Sequence, residues 1–61
     1  MPTIRLEGPV VQDLEKRRAL VKAVTDAAAA YYGLPRETYV VVIKENAPEN
    51  VAVGGVLIAD R

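Results

Sequence analysis

The 61-residue chain balances eight Lys and Arg against eight Asp and Glu and has neither cysteine nor histidine. This composition argues against a broad surface for nucleic acid or anionic membranes, and it excludes disulfides and the usual structural metal sites. A chain this short forms one domain, residues 1–61, and buries only about 60% of its unfolded surface, so its 51% apolar content favours oligomerisation. Neither a membrane span nor a signal-peptide pattern is present, and we expect a cytoplasmic protein.

The first predicted elements are a strand and a long helix. The stretch "PTIRLEG" favours extended structure, and Gly8-Pro9 predicts its end. From Asp13, the expected N-cap, apolar residues recur every three or four positions, which is the period of an amphipathic helix. Gly33 and Pro35 predict the end of this helix after about 20 residues.

A second strand is predicted at "ETYVVVIKE", whose run Val40 to Ile43 suits a strand covered on both faces. Strand, helix and strand form a small β-α-β unit of the α/β class, with parallel strands and a right-handed crossover. One helix covers only one face of this sheet, so we expect a partner subunit to cover the other. The segment "VAVGGVLI" predicts a C-terminal β-hairpin that turns at Gly54-Gly55 and reaches a neighbouring chain.

The whole chain resembles the 4-oxalocrotonate tautomerases of the tautomerase superfamily. The resemblance rests on the Met-Pro start, on Glu7-Gly8 and on the "PEN...VGG" block from Pro48 to Gly55. It implies an isomerase without a cofactor or metal, whose dimers assemble into a homohexamer with active sites at subunit boundaries. Its substrates are expected to be small 2-oxo acids or their enols, the 2-hydroxy-alkenoic acids, with no nucleic acid or membrane as partner.

In this family the amino-terminal proline, here Pro2 after removal of Met1, is the catalytic base. An α-amine has a reference pKa of ~7.7–8.0, and an apolar environment lowers it toward the value that proton abstraction beside a carbonyl needs. Ile4 and Leu6, with Val41 and Ile43 on the adjacent strand, are expected to provide that environment.

The sequence departs from the family where arginines bind the substrate carboxylates. No arginine lies between Gly8 and Lys16, Val40 stands where the second arginine is expected, and Val51 replaces an aromatic residue. Loss of one preorganised donor typically costs ~10²–10³ in rate, so we expect weak action on 2-hydroxymuconate and better action on a hydrophobic monoacid such as phenylenolpyruvate. The candidate substitutes are three cations and a phenol: Arg5, Arg36, Lys44 and Tyr39. Val51, at the position of the aromatic residue, is a further candidate for substrate binding.

An alternative function is a non-catalytic subunit of the same fold that acts as a scaffold within a hetero-oligomer. In that case a related partner chain supplies the missing arginines. Met-Pro starts also occur in unrelated proteins, so Pro2 carries weight only together with the full-length resemblance. The physiological substrate and the number of subunits stay open at this point.

Overall fold

The computed structural model describes residues 1–61 and has the predicted α/β architecture. Two parallel strands flank one long helix, and a short antiparallel hairpin follows, which confirms the β-α-β unit and the C-terminal hairpin. No helix of the chain is both long enough and apolar enough to cross a membrane. The elements are β1 (Thr3–Pro9), α1 (Leu14–Tyr32), β2 (Val40–Asn46), β3 (Ala52–Val53) and β4 (Val56–Leu57).

The sheet has two unequal faces because side chains alternate along β1 and β2. Ile4 is in register with Val41 and Leu6 with Ile43, and these four partly buried residues form the face toward α1. The opposite face presents the exposed residues of both strands, and it includes two valines. These residues are Thr3, Arg5, Glu7, Val40, Val42 and Lys44.

Both predicted ends of α1 are confirmed. The Asp13 side chain caps the helix by accepting a hydrogen bond from the Lys16 amide at 3.2 Å. Gly33 has φ of 71°, in the left-handed region, and its amide donates to the Ala29 carbonyl, which is the C-cap geometry that glycine permits without strain.

Two predicted boundaries need correction. β1 continues through Gly8 and ends at Pro9, since proline fits the last position of a strand whose outer edge is unpaired. β2 starts only at Val40, because Arg36–Thr38 forms a 3₁₀ turn after Pro35 instead of extended chain. The hairpin turns at Gly54 and Gly55 as predicted, and their φ values of 61° and 83° are those of a tight turn between strands.

The single chain leaves an unusually large surface open to solvent. Its accessible area is 4791 Å², whereas a compact 6.6 kDa monomer exposes about 3,900 Å². Its radius of gyration is 14.7 Å, against about 10.5 Å expected for a compact chain of this length. No residue is buried. The excess of about 900 Å² matches the area that one partner contributes to a standard protein interface.

Candidate active site

Pro2 lies immediately before β1, on the side of the sheet that faces α1. It is partly buried, and it continues the alternation that places Ile4 and Leu6 on the same face. The Val40 amide donates a hydrogen bond to the Pro2 carbonyl at 3.0 Å and so fixes this end of the chain to β2. Pro2 therefore belongs to the apolar face of the sheet.

Two of the other candidates, Tyr39 and Arg36, lie at the same end of the sheet as Pro2, and both already have partners. The Tyr39 hydroxyl accepts a hydrogen bond from the Leu34 amide at 3.1 Å and donates one to the Leu34 carbonyl at 3.3 Å. The Arg36 guanidinium forms an ion pair with Asp26. Within one chain, neither group is directed at Pro2 as a free donor.

Asp26 is the centre of a small charged group on the outer side of α1. Its carboxylate accepts a hydrogen bond from Lys22, four residues earlier on the helix, at 3.0 Å, and it also pairs with Arg36. The hydrogen bonds from Lys22 and then from Arg36 hold the pKa of this carboxyl below its ordinary value of 3.8. Arg36 is thereby tied to the helix.

The opposite end of the sheet carries two clefts that meet near Lys44. We call the first the helix cleft; its volume is about 290 Å³, and Leu6, Ile43, Leu20 and Arg17 are among its lining residues. The second, the hairpin cleft, has a volume of about 910 Å³ and is bounded by the β1 end and the C-terminal hairpin region. Its lining includes Gly8, Pro9, Asn50, Val51 and Ile58.

Lys44 lines both clefts, and Val51 lines the hairpin cleft, so two more candidates are brought together here. Arg5 lies mid-strand on the face away from α1 and lines neither cleft. Pro2 also lines neither. The six candidate residues therefore divide between the two ends of the sheet and its exposed face, and one chain does not assemble them into a single site.

A pair that the sequence analysis did not single out, Arg17 and Glu45, lies at the helix cleft. The Arg17 guanidinium donates to the Glu45 carboxylate at 2.6 Å, and the Val11 amide donates to the other carboxylate oxygen at 3.1 Å. The sequence contains a signal for this pair in the alternation of side chains along β2. Glu45 shares its strand face with Val41 and Ile43 and therefore points toward α1. The bond from Val11 fixes the loop before the helix, which contains no arginine.

The β-α-β unit with its C-terminal hairpin is the fold of the tautomerase class, and sequence comparison leads to the same class. The sequence model of the family described as "Tautomerase enzyme" matches residues 2–61. A "Probable tautomerase" of Lactiplantibacillus plantarum is 35% identical over all of this chain and 95% of its own length. The chain belongs to the tautomerase family, and its resemblance to 4-oxalocrotonate tautomerases is confirmed.

Solved structures extend this result to the three-dimensional fold. YwhB, a homologue of 4-oxalocrotonate tautomerase, superposes with a TM-score of 0.90 at 30% identity, over 98% of both chains. A heterohexamer 4-oxalocrotonate tautomerase from Chloroflexus aurantiacus J-10-fl has a TM-score of 0.86 at 28% identity, over 98% of this chain and 97% of its own. Relatives with this subunit fold thus include an oligomer built from unlike chains.

Proposed function

We propose that this protein is a cofactor-independent tautomerase that interconverts the enol and keto forms of 2-oxo acids, with Pro2 as the general base once Met1 is removed. The observation that carries the proposal is the position of Pro2. It is the first residue of the family match, it immediately precedes β1, and it is partly buried on the same face as Ile4. An amine in that position combines basicity with an apolar neighbourhood.

The proposed reaction needs no co-reactant. The Pro2 nitrogen accepts the proton of the enol hydroxyl, and the electron pair of the broken O–H bond stays on the oxygen of the resulting enolate. As that pair forms the second bond of the carbonyl, the electron pair of the carbon–carbon double bond takes the proton from the Pro2 ammonium and forms a C–H bond at C3. The base returns to its starting state, and the substrate is isomerised without net gain or loss of a proton.

The scarcity of free cations beside Pro2 favours a monoacid with a hydrophobic substituent. At this end of the sheet Arg36 is paired with Asp26, and the Tyr39 hydroxyl is bonded to Leu34. We therefore propose phenylenolpyruvate as a better substrate than the dicarboxylate 2-hydroxymuconate. Equal kcat/KM for this dicarboxylate and the monoacid would contradict the preference.

The deciding experiment follows the loss of enol absorbance of phenylenolpyruvate. Protein shown by mass to lack Met1 is compared with a Pro2→Ala variant that has been processed in the same way. A rate above buffer that falls by about 10²-fold or more in the variant supports proline-based tautomerisation. No rate above buffer in the processed protein, or an undiminished rate in the variant, overturns it.

A second candidate function is that of a non-catalytic subunit in a hetero-oligomer. Two observations favour it. One similar solved structure is a heterohexamer, and Arg17, Arg18 and Arg36 already form ion pairs within the chain. A protein that is inactive alone but active after mixing with a related, arginine-bearing chain would support this function.

A further inference from the structure

We propose that Tyr39 is a positioning residue for Pro2, and that its ring shields the proposed base from water. This inference rests on the proposed tautomerase function and deepens it by naming a residue that adjusts the base. It also gives Tyr39 a role different from the hydrogen bond to substrate for which the sequence made it a candidate. Three features of the structure support this role: the strand register, the hydrogen bonds of the hydroxyl and the packing of the ring.

The strand register places Tyr39 beside Pro2. Thr3 is in register with Val40, and the Val40 amide donates to the Pro2 carbonyl at 3.0 Å, so the parallel pairing continues one residue further, to Pro2 and Tyr39. The Tyr39 backbone is extended, with φ of −91° and ψ of 134°. The other edge of β1 is unpaired, so no second strand of the same chain flanks Pro2.

Both side chains lie on the face of the sheet toward α1. Pro2 alternates with Ile4 and Tyr39 alternates with Val41, and all four residues are partly buried. Neighbouring strands are about 4.8 Å apart, whereas residues two positions apart on one strand are about 6.6 Å apart. By this spacing Tyr39 is nearer to Pro2 than Ile4 is, and it presents an aromatic ring on the face that they share.

The hydroxyl of Tyr39 holds the ring in place. It accepts a hydrogen bond from the Leu34 amide at 3.1 Å and donates its single proton to the Leu34 carbonyl at 3.3 Å. Leu34 directly follows Gly33, the C-cap of α1, so the Tyr39 side chain reaches from the start of β2 to the end of the helix. The hydroxyl proton is therefore already committed, and the ring is what Tyr39 offers to Pro2.

A second aromatic ring supports the first. Tyr32, the last residue of α1, has its ring centroid 6.4 Å from that of Tyr39, with 48° between the ring planes, which is within the range of packed aromatic pairs. Tyr32 is 55% exposed, whereas Tyr39 is partly buried, so Tyr32 covers the solvent side. An apolar ring held beside an amine displaces water and thereby disfavours the charged ammonium form.

The first test measures the pH dependence of kcat/KM for phenylenolpyruvate in the processed protein. Tyr39→Phe keeps the ring and should keep kcat/KM within about threefold, with the same apparent pKa, since only the hydrogen bonds to Leu34 are lost. Tyr39→Thr removes the ring but suits extended chain, and it should raise the apparent pKa to the reference range of ~7.7–8.0. A rise of one in this pKa lowers the rate about tenfold at low pH and leaves the plateau unchanged. Tyr31→Thr, the same change at a tyrosine that is 83% exposed, is the control and should resemble the unaltered protein.

The second test titrates Pro2 directly and does not depend on turnover. Isotopic labelling of the proline nitrogen lets NMR follow the Pro2 amine in the same proteins, and the amine of Tyr39→Thr should titrate nearer the reference range than that of the unaltered protein. Circular dichroism and the assembled mass show whether each variant keeps its fold. If Tyr39→Thr does not fold, Tyr39→Gln, which fills more of the space with a polar group, takes its place.

Three results would overturn the role of Tyr39. An unchanged Pro2 titration after loss of the ring shows that the ring does not shield the amine, and a lower one shows that the ring attracts the ammonium instead. A loss of about 10²-fold or more in Tyr39→Phe, with an unchanged apparent pKa, shows that the hydroxyl acts on the substrate. The proposed function is tested separately, because it fails if Pro2→Ala is as active as the unaltered protein, whatever the Tyr39 variants show.

Discussion

Arg17 on the helix and Glu45 on the second strand meet at 2.6 Å between a guanidinium nitrogen and a carboxylate oxygen, 28 positions apart in the sequence. The Glu45 side chain is 21% exposed and that of Arg17 is 41% exposed, so the pair is only partly screened by water. Because Glu45 also holds the Val11 amide, one carboxylate joins β2, the loop before the helix and the helix itself.

We predict that Arg17→Ala lowers the free energy of unfolding by about 1 kcal/mol, since it leaves the Glu45 carboxylate with one hydrogen bond in a partly buried position. The matched control is Arg18→Ala, which removes an ion pair with Glu15 whose side chains are 61% and 80% exposed. This control should change stability by less than about 0.5 kcal/mol. Urea unfolding at one fixed protein concentration measures both, and equal losses would contradict the prediction.

Asp26 predicts a pH dependence of stability. Its folded-state pKa lies below the ordinary value of 3.8 because Lys22 and Arg36 donate to the carboxylate. Its contribution is therefore fully present above that ordinary value and is lost as the pH falls through the lower folded-state pKa. The stability difference between the unaltered protein and Asp26→Asn should be constant near neutrality and shrink below about pH 4.

Urea unfolding of both proteins at pH 7 and pH 3 measures this effect. Because the carboxylate is exposed, the difference at pH 7 should also diminish in about 1 M salt. A difference between the two proteins that is the same at pH 7 and pH 3 would show that the ion pairs do not stabilise the fold.

The sequence predicts the local elements well because their signals are local. Asp13 and Gly33 end the helix through their own side chain and backbone, and Gly54-Gly55 forms the hairpin turn within four residues. The alternation of side chains along β1 and β2 can be predicted from the sequence in the same way. Ile4 and Val41, which were predicted to contribute to one apolar environment, are in register on neighbouring strands.

The side-chain partners of Arg36 and Tyr39 were beyond prediction, because they depend on how the helix, the turn and the second strand are placed. Arg36 appeared as a candidate anion donor, yet it is held by Asp26, ten residues earlier on the helix. Tyr39 likewise bonds to Leu34 across the turn. The division of the candidate residues between two sheet ends follows from the parallel register, and a linear sequence does not display it.

The exposed face of the sheet predicts where copies of the chain associate. Val42 is 44% exposed on the face away from α1, in a chain whose surface exceeds that of a compact monomer by about 900 Å². We predict that Val42→Lys reduces the assembled mass, because it places a charge within a surface that a partner covers. Tyr31→Lys, at a helix position that is 83% exposed, is the control and should leave the mass unchanged.

Light scattering coupled to size-exclusion chromatography distinguishes these outcomes. If Tyr31→Lys dissociates the protein and Val42→Lys does not, the contact surface lies on the helix and the assignment to the sheet face is wrong.

The pH dependence of the reaction tests the environment of the proposed base. Pro2 shares its sheet face with Ile4 and Leu6, and an apolar neighbourhood disfavours the ammonium form, so the amine should titrate below the reference range for an α-amine of ~7.7–8.0. We therefore predict that kcat/KM for phenylenolpyruvate rises with pH and levels off with an apparent pKa below that range. Ile4→Lys is expected to lower this apparent pKa further, because a positive charge two residues from Pro2 on the same face disfavours the ammonium form. Ile4→Gln, a neutral change at the same position, is the control for altered packing. If the apparent pKa of the unaltered protein lies within or above the reference range, Pro2 reacts as an ordinary solvent-exposed amine.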